Sequence, residues 1–172
     1  MTDLSIIHPR SNSDWDAVRA LCRAYFDHLL EADPDAAPVM AEHYPEQARE
    51  DLLRDLPQVH RPPGGCCILL LDAQGTPLAT GSYVPLTPKA VEVKRVYVAP
   101  AGQGQGLGRA IMTKLESEAI ATGHTRMLLD TMHFLTPAIS LYLSLGFRVR
   151  GGYHPAHETL GELVRCFEKD LT

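Results

Sequence analysis

The sequence has few cysteines and no long hydrophobic run, and both absences narrow the class of protein. Its four cysteines among 172 residues show neither CxxC spacing nor the density of a disulfide scaffold, so we expect reduced, mostly buried thiols. The longest uninterrupted apolar run, 66–71, is far shorter than the roughly 18 residues of a membrane-spanning helix. The first residues lack the basic start and apolar stretch of a secretory signal. We therefore expect a cytoplasmic protein with no membrane partner.

Positive charge is also scarce, which bears on the kind of partner. Sixteen Lys and Arg residues stand against 21 Asp and Glu residues, for a formal net charge of −5 at pH 7. The broad electrostatic attraction that supplies most nucleic-acid affinity is therefore missing. We expect no nucleic-acid partner.

A metal site is not indicated either. His154 and His157 stand close together, but Pro155 between them disfavours a helical pair, and no cysteine or carboxylate cluster completes a ligand set. We expect surface or loop histidines and no bound metal.

What the sequence does contain is a globular composition and a regular alternation of strand and helix patterns. Hydrophobic residues make up 45% and charged residues 22%, which suits a single domain over 1–172. The pattern predicts a strand, two helices, three antiparallel strands, a helix, a strand, a helix and two strands, hence a mixed α+β fold. The first predicted helix begins at a capping box of Ser13 and Asp16, and the second ends at Pro57.

The most informative segment is rich in glycine and joins a predicted strand, 91–98, to a predicted helix. Glycines stand at 102, 104, 106 and 108. Small residues let consecutive backbone N–H groups point inward, and the start of a helix adds the positive end of its dipole, so the segment suits a pyrophosphate. The spacing completes neither the dinucleotide-binding GxGxxG pattern nor the Walker pattern. Another type of phosphate loop and a simple connecting turn both stay open at this point.

A Gln-x-x-Gly-x-Gly pattern runs through this segment at Gln103, Gly106 and Gly108, after the run Val-Tyr-Val-Ala-Pro. Further blocks at 92–95, 129–131 and 138–147 flank it, and they include a Leu-Tyr pair followed by Leu-Gly-Phe. Together these blocks resemble, in order and spacing, the acetyl-CoA signature and the later motifs of the GNAT superfamily of N-acetyltransferases. The resemblance is close over about residues 91–153 and looser in the order of the remaining elements.

The resemblance implies both a fold and a cofactor, acetyl-CoA. The fold is a GNAT-like, largely antiparallel twisted sheet of about seven strands flanked by about four helices, in which the fourth and fifth strands separate around the pantetheine arm. The implied cofactor-binding residues are Val96 and Val98 through their backbones, and Gln103, Gly104, Gly106, Gly108 and Arg109 around the pyrophosphate. The two valine side chains also suit ordinary strand core.

The proposed chemistry needs a base, because an alkylamine with a pKa of about 10.4 is almost wholly protonated at pH 7 and only its neutral form attacks a thioester. Glu92 matches the general base of several family members, acting directly or through water; the alternative is an exposed carboxylate paired with Lys94 or Arg150. Tyr142 matches the tyrosine that faces the sulfur of acetyl-CoA, as a proton donor or as a hydrogen-bond donor, since a phenol is a weaker acid than a thiol. Its alternative is a core tyrosine with the hydroxyl at the rim.

The acceptor is the least determined part of the prediction. By analogy with the family its cleft is bounded by the first two helices and by the segment 151–161, with Tyr25, His133, Phe134 and Tyr153 as candidate lining residues that also suit plain packing. No covalent nucleophile is evident, which favours direct attack in a ternary complex. We predict acetyl transfer to a primary amine of a small molecule. A protein or peptide N-acetyltransferase, a non-catalytic acyl-CoA-binding module and a homodimeric assembly are left open.

Overall fold

One twisted sheet runs through the computed structural model, which describes residues 4–172. Its seven strands are β1 Ser5–Ile7, β2 Cys66–Leu71, β3 Pro77–Thr87, β4 Ala90–Val98, β5 Arg126–Met132, β6 Arg148–Arg150 and β7 Val164–Asp170. They lie in the order β1-β2-β3-β4-β5-β7-β6, and every neighbouring pair is antiparallel except β4 and β5. The predicted mixed, largely antiparallel sheet is confirmed.

Six helices cover the two faces of the sheet within the described residues, where the sequence predicts about four. They are α1 Asn12–Ala32, α2 Ala37–His43, α3 Glu46–Val59, α4 Leu107–Ala121, α5 Thr136–Ser144 and α6 Pro155–Leu160. Buried residues of α4 and α5 belong to one core cluster, and those of α1, α2, α3 and α6 to another. None of the helices within 4–172 is long and apolar enough to cross a membrane.

The first and third helices differ from the prediction in their ends. The capping box of α1 is formed by Ser11 and Asp14, not by Ser13 and Asp16: Ser11 Oγ accepts the Asp14 N–H at 3.1 Å, and Asp14 Oδ2 accepts the Ser11 N–H at 2.9 Å. Pro57 lies inside α3 and does not end it. The chain tolerates this proline because Arg19 Nε donates at 3.0 Å to the Leu53 carbonyl, the acceptor that the missing proline N–H would leave unpaired.

The two additional helices are short, and proline stands at the start of each. In α6, Pro155 occupies the first turn, where its missing N–H costs nothing. The expectation that His154 and His157 are surface or loop residues is therefore wrong for His157, which faces the core and is only 7% exposed. His154 caps the helix instead, and its Nδ1 accepts the Ala156 N–H at 3.1 Å.

The two core clusters lie on opposite faces of the sheet, as the sequence pattern requires. The predicted core positions of α4 are all buried, and they are Leu107, Ile111, Leu115 and Ala119. All four cysteines are buried and unpaired, which agrees with the expectation of reduced thiols.

The sheet opens between β4 and β5. These strands pair in parallel only over 90–92 and 126–128, and beyond that point they separate. On β4, Arg95 and Val96 together oppose the single residue Gly81 of β3, and Arg95 has a positive φ of 52°. Such a bulge bends its strand and leaves one residue outside the ladder. The bulge therefore lies beside the gap between the two strands.

Candidate active site

A cavity of about 640 Å³ lies between β4 and α5 and reaches the start of α4. All seven predicted cofactor residues line it: Val96, Val98, Gln103, Gly104, Gly106, Gly108 and Arg109. The side chains of Val96 and Val98 also pack against the core cluster of α4 and α5. A place in the strand core is therefore compatible with a cofactor contact through their backbones. A surface depression of about 710 Å³ between α6 and the strands β6 and β7 contains none of these residues.

The backbone between β4 and α4 forms a cradle of unpaired amides. Gly104 and Gly106 adopt left-handed conformations, with φ of 74° and 76°, that glycine enters without strain. Within the described residues, the N–H groups of 104–109 have no acceptor in the chain, and the first bonded amide is that of Ala110, which donates to the Gly106 carbonyl at 3.1 Å. Six amides at the positive end of a helix dipole suit a diphosphate, so the residues present fit the pyrophosphate of acetyl-CoA.

The side chains around this cradle are held by contacts within the chain. Gln103 Nε2 donates to the Val98 carbonyl at 3.4 Å, so this side chain ties the loop to β4. Arg109 donates to Ser144 Oγ of α5 at 2.7 Å and stays exposed at the rim of the cavity. The two helices meet closely here: a Cβ on Gly108 would lie 3.1 Å from Leu141 Cδ2.

Tyr142 lies where the outer cavity meets an inner cavity of about 30 Å³ between the separating strands. It is 6% exposed, and its ring packs against those of Phe147 and Phe167 with centroids 6.0 and 6.1 Å away. Its hydroxyl has no hydrogen-bond partner among the described residues. Burial raises the pKa of Tyr142, and the negative charge of Asp130 raises it further. The phenol therefore stays protonated at neutral pH, which favours hydrogen bonding over complete proton donation.

Glu92 is buried on the face of β4 that α1 covers. It is only 6% exposed, and its Oε1 accepts a hydrogen bond from Tyr153 Oη at 2.9 Å and lies 2.6 Å from Lys94 Nζ. The alternative of an exposed carboxylate is therefore wrong in its exposure, although the pairing with Lys94 is present. Arg150 pairs instead with Glu168, at 3.1 Å.

The four predicted acceptor residues do not come together. Tyr25 lines both cavities, and Tyr153 reaches Glu92. His133 and Phe134 lie between β5 and α5 and line none of the three cavities described here; His133 Nε2 is 3.9 Å from Asp33 Oδ2.

Sequence reasoning missed a second polar cluster, formed by Asp130 and His157. His157 Nε2 lies 2.9 Å from Asp130 Oδ2, and its Nδ1 accepts the backbone N–H groups of Tyr153 and His154 at 3.1 and 3.2 Å. Because Nδ1 accepts, the ring proton lies on Nε2 and is donated to Asp130. Asp130 stands within the block 129–131, but no local pattern links it to a histidine 27 residues later.

The sequence model of the acetyltransferase (GNAT) family matches residues 19–147 of the chain, which include the bulge, the cradle and Tyr142. The chain belongs to the GNAT family. The resemblance carried by the glycine-rich segment and its flanking blocks is thereby confirmed.

A relative of known sequence is an uncharacterised N-acetyltransferase of Schizosaccharomyces pombe. It is 32% identical over 106 residues, which cover 61% of this chain and 65% of that protein. The chain spans between 27% and 65% of the length of the curated relatives it matches.

Solved structures share the fold at low sequence identity. A GNAT acetyltransferase of Staphylococcus aureus has a TM-score of 0.75 at 16% identity, over 99% of this chain and 100% of that one. A spermidine N-acetyltransferase of Vibrio cholerae, solved with CoA and spermine, has a TM-score of 0.68 at 14% identity, over 98% of this chain and 95% of that one. The predicted GNAT-like α+β fold is confirmed.

A charge placed at the cradle tests its role. Gly106→Asp puts a carboxylate beside the unpaired amides, and we expect at least a tenfold loss of acetyl-CoA affinity by calorimetry, because a charge-assisted hydrogen bond contributes roughly 1.5–3 kcal/mol. Gly106→Asn imposes the same left-handed backbone without the charge and should lose less.

Gly123→Asp is the matched control for this variant. Gly123 has a φ of 83° and open space around it, as Gly106 has, but it follows the opposite end of α4. Equal affinities for Gly106→Asp and Gly123→Asp would contradict the cradle.

Proposed function

We propose that the protein is an acetyl-CoA-dependent N-acetyltransferase that moves an acetyl group to a primary amine of a small molecule, in a ternary complex. The observation that carries this function is the cradle of six unpaired amides at 104–109, next to a gap between β4 and β5 that holds Tyr142. The cofactor, when bound, supplies a thioester as the acetyl donor. No cysteine is needed as an acyl carrier, since all four thiols are buried and burial raises the pKa of Cys66 and Cys67 to about 12.

Four residues of the chain have separate roles in the proposed reaction. Glu92 takes the proton that the amine loses as its nitrogen bonds to the acetyl carbon, directly or through water. Tyr142 donates a hydrogen bond toward the sulfur that departs as the carbon–sulfur bond breaks, and its high pKa keeps this donor in place. Val96 and Val98 hold the pantetheine arm with their backbone groups. The roles of Tyr142, Val96 and Val98 rest on their place in the cavity lining, and the role of Glu92 rests on its position on β4 beside Val93, which lines the inner cavity.

The acceptor side suits a cationic amine, and a structural relative supports a small one. The inner cavity is about 30 Å³ and is lined by Tyr25, Asp130 and Tyr142 among others, so it has room for little more than the amine group itself. The net charge of −5 also favours a cationic acceptor. A structural relative, the spermidine N-acetyltransferase of Vibrio cholerae, was solved with spermine bound.

The deciding experiment measures release of free thiol from acetyl-CoA in the presence of amines, amino acids and peptides. We expect turnover with small primary amines. Turnover on peptides alone would replace the proposed substrate class with the protein or peptide alternative. Binding of acetyl-CoA without turnover on any acceptor would leave the non-catalytic module as the function.

The role of Tyr142 is tested by Tyr142→Phe. This change removes one hydroxyl and keeps the ring packed on Phe147 and Phe167, so the fold and the affinity for acetyl-CoA should change little. We expect kcat to fall roughly tenfold or more, as for loss of a hydrogen bond made mainly in the transition state. An unchanged kcat at saturating substrates would remove Tyr142 from the chemistry.

The role of Glu92 is tested by the pH dependence of Glu92→Gln. Without a base the enzyme depends on amine that is already neutral in solution, and that fraction falls about tenfold for each pH unit below the amine's pKa. The ratio of wild-type to variant activity should therefore grow as the pH falls.

Glu116→Gln is a matched control for Glu92→Gln. Glu116 is likewise paired with a lysine, since Lys169 Nζ lies 2.6 Å from its carboxylate. It is on α4, whereas Glu92 is next to Val93, which lines the inner cavity. A pH–rate profile of Glu92→Gln that matches the profile of Glu116→Gln would count against a base at Glu92.

A further inference from the structure

A second carboxylate lies beside Tyr142, on the other strand of the gap. Asp130 of β5 lines the inner cavity together with Tyr25 and Tyr142, and its side chain is 25% exposed. Its Oδ2 accepts the hydrogen bond from His157, whereas its Oδ1 has no donor among the described residues. One carboxylate oxygen is therefore available to a ligand in the cavity.

Asp130 and Glu92 differ in how their charges are balanced. Glu92 has a cation at 2.6 Å, Lys94 Nζ. Within 4–172, no lysine or arginine nitrogen lies within 4.0 Å of the Asp130 carboxylate, and its partner His157 donates from Nε2 while Nδ1 accepts. Arg95 lines the same inner cavity, but its Nη2 contacts His60 Nε2 at 2.5 Å. Within the described residues the Asp130 carboxylate therefore forms no ion pair with a lysine or arginine, although the positive charge of Arg95 belongs to the same cavity lining.

The phenols around the cavity respond to this charge. Burial is the largest cause of the raised pKa of Tyr25 and Tyr142, which line the cavity, and the negative charge of Asp130 raises both further, whereas the Arg95 charge lowers the pKa of Tyr25. A field that opposes the formation of phenolate favours a cation placed at the same point. A cationic ligand between Asp130 and Tyr142 would neutralise it.

We propose that Asp130 binds the ammonium form of the acceptor and that His157 is a positioning residue that holds the Asp130 carboxylate toward the inner cavity. This inference rests on the proposed function and deepens it, because it assigns the substrate class to amines that are cationic at neutral pH. Asp130 holds the ammonium group, and Glu92 removes its proton. His157 carries no proton between them, since the backbone N–H groups of Tyr153 and His154 occupy its Nδ1.

The test is Asp130→Asn, assayed by thiol release with n-butylamine, benzylamine, putrescine and spermidine, all of which are cationic at neutral pH. The asparagine keeps the shape and an oxygen for His157 but removes the charge. We expect KM for the amine to rise roughly ten- to a hundredfold, as for loss of a charge-assisted hydrogen bond. We expect kcat to change less and acetyl-CoA affinity by calorimetry to stay the same. Asp35→Asn, at an exposed residue that lines no described cavity, is the control.

The positioning role is tested at His157. His157→Phe removes the donor to Asp130 and should raise KM for the amine in the same direction as Asp130→Asn. His157→Gln keeps an amide N–H that donates to the carboxylate and should restore part of the affinity. A merely structural role predicts a lower unfolding temperature for both variants with no difference between them in KM. If His157→Phe does not fold, the proposal is tested by comparing KM for the amine in Asp130→Asn with KM in Asp35→Asn.

The outcomes distinguish a failure of the Asp130 assignment from a failure of the proposed function. Thiol release by the wild type with unchanged KM in Asp130→Asn overturns the assignment of Asp130 and leaves the proposed function in place. No thiol release by the wild type with any of the four amines overturns the proposed small-amine function, and the assignment of Asp130 with it.

Discussion

The separation of β4 from β5 is the constraint on which the rest of the site depends. Two parallel strands normally continue their ladder, but here only three residue pairs form before the strands part. The bulge at Arg95 and Val96 directs β4 away from β5 and places part of its backbone beside the gap. Without this opening, Tyr142 would pack against a closed sheet and the amides of 104–109 would face no cavity.

In the proposed reaction, the opening lets two ligands with opposite charges approach from the two faces of one sheet. The start of α4 presents backbone N–H groups and a positive dipole end, which suit a diphosphate. The α1 face presents Glu92 and Asp130, which suit an amine. The cradle lines the outer cavity and Asp130 the inner one, and Tyr142 lines both.

Sequence reasoning predicts those parts of this arrangement that depend on residues close together in the chain. The cradle is local, because glycine at 104 and 106 and the first turn of α4 determine its amides. The sheet is also predicted, because alternation in each strand is a local pattern. The helices α2 and α6 escape such reasoning because they have seven and six residues and a proline in the first turn. The contact of Asp130 with His157 escapes it because β5 and α6 are brought together only by the fold.

The burial of Glu92 shows why a residue's role and its charge balance have to be derived separately. The position on β4 is readable from sequence, but the two partners of the carboxylate, Lys94 two residues away and Tyr153 sixty-one residues away, determine what it does there. A buried carboxylate without a partner is costly, and Lys94 offsets that cost while reducing the attraction of Glu92 for a second cation. A base that is already paired binds an ammonium ion poorly. The proposed reaction then needs another group to hold the amine, and we propose Asp130 for it, because within the described residues its carboxylate forms no ion pair with a lysine or arginine.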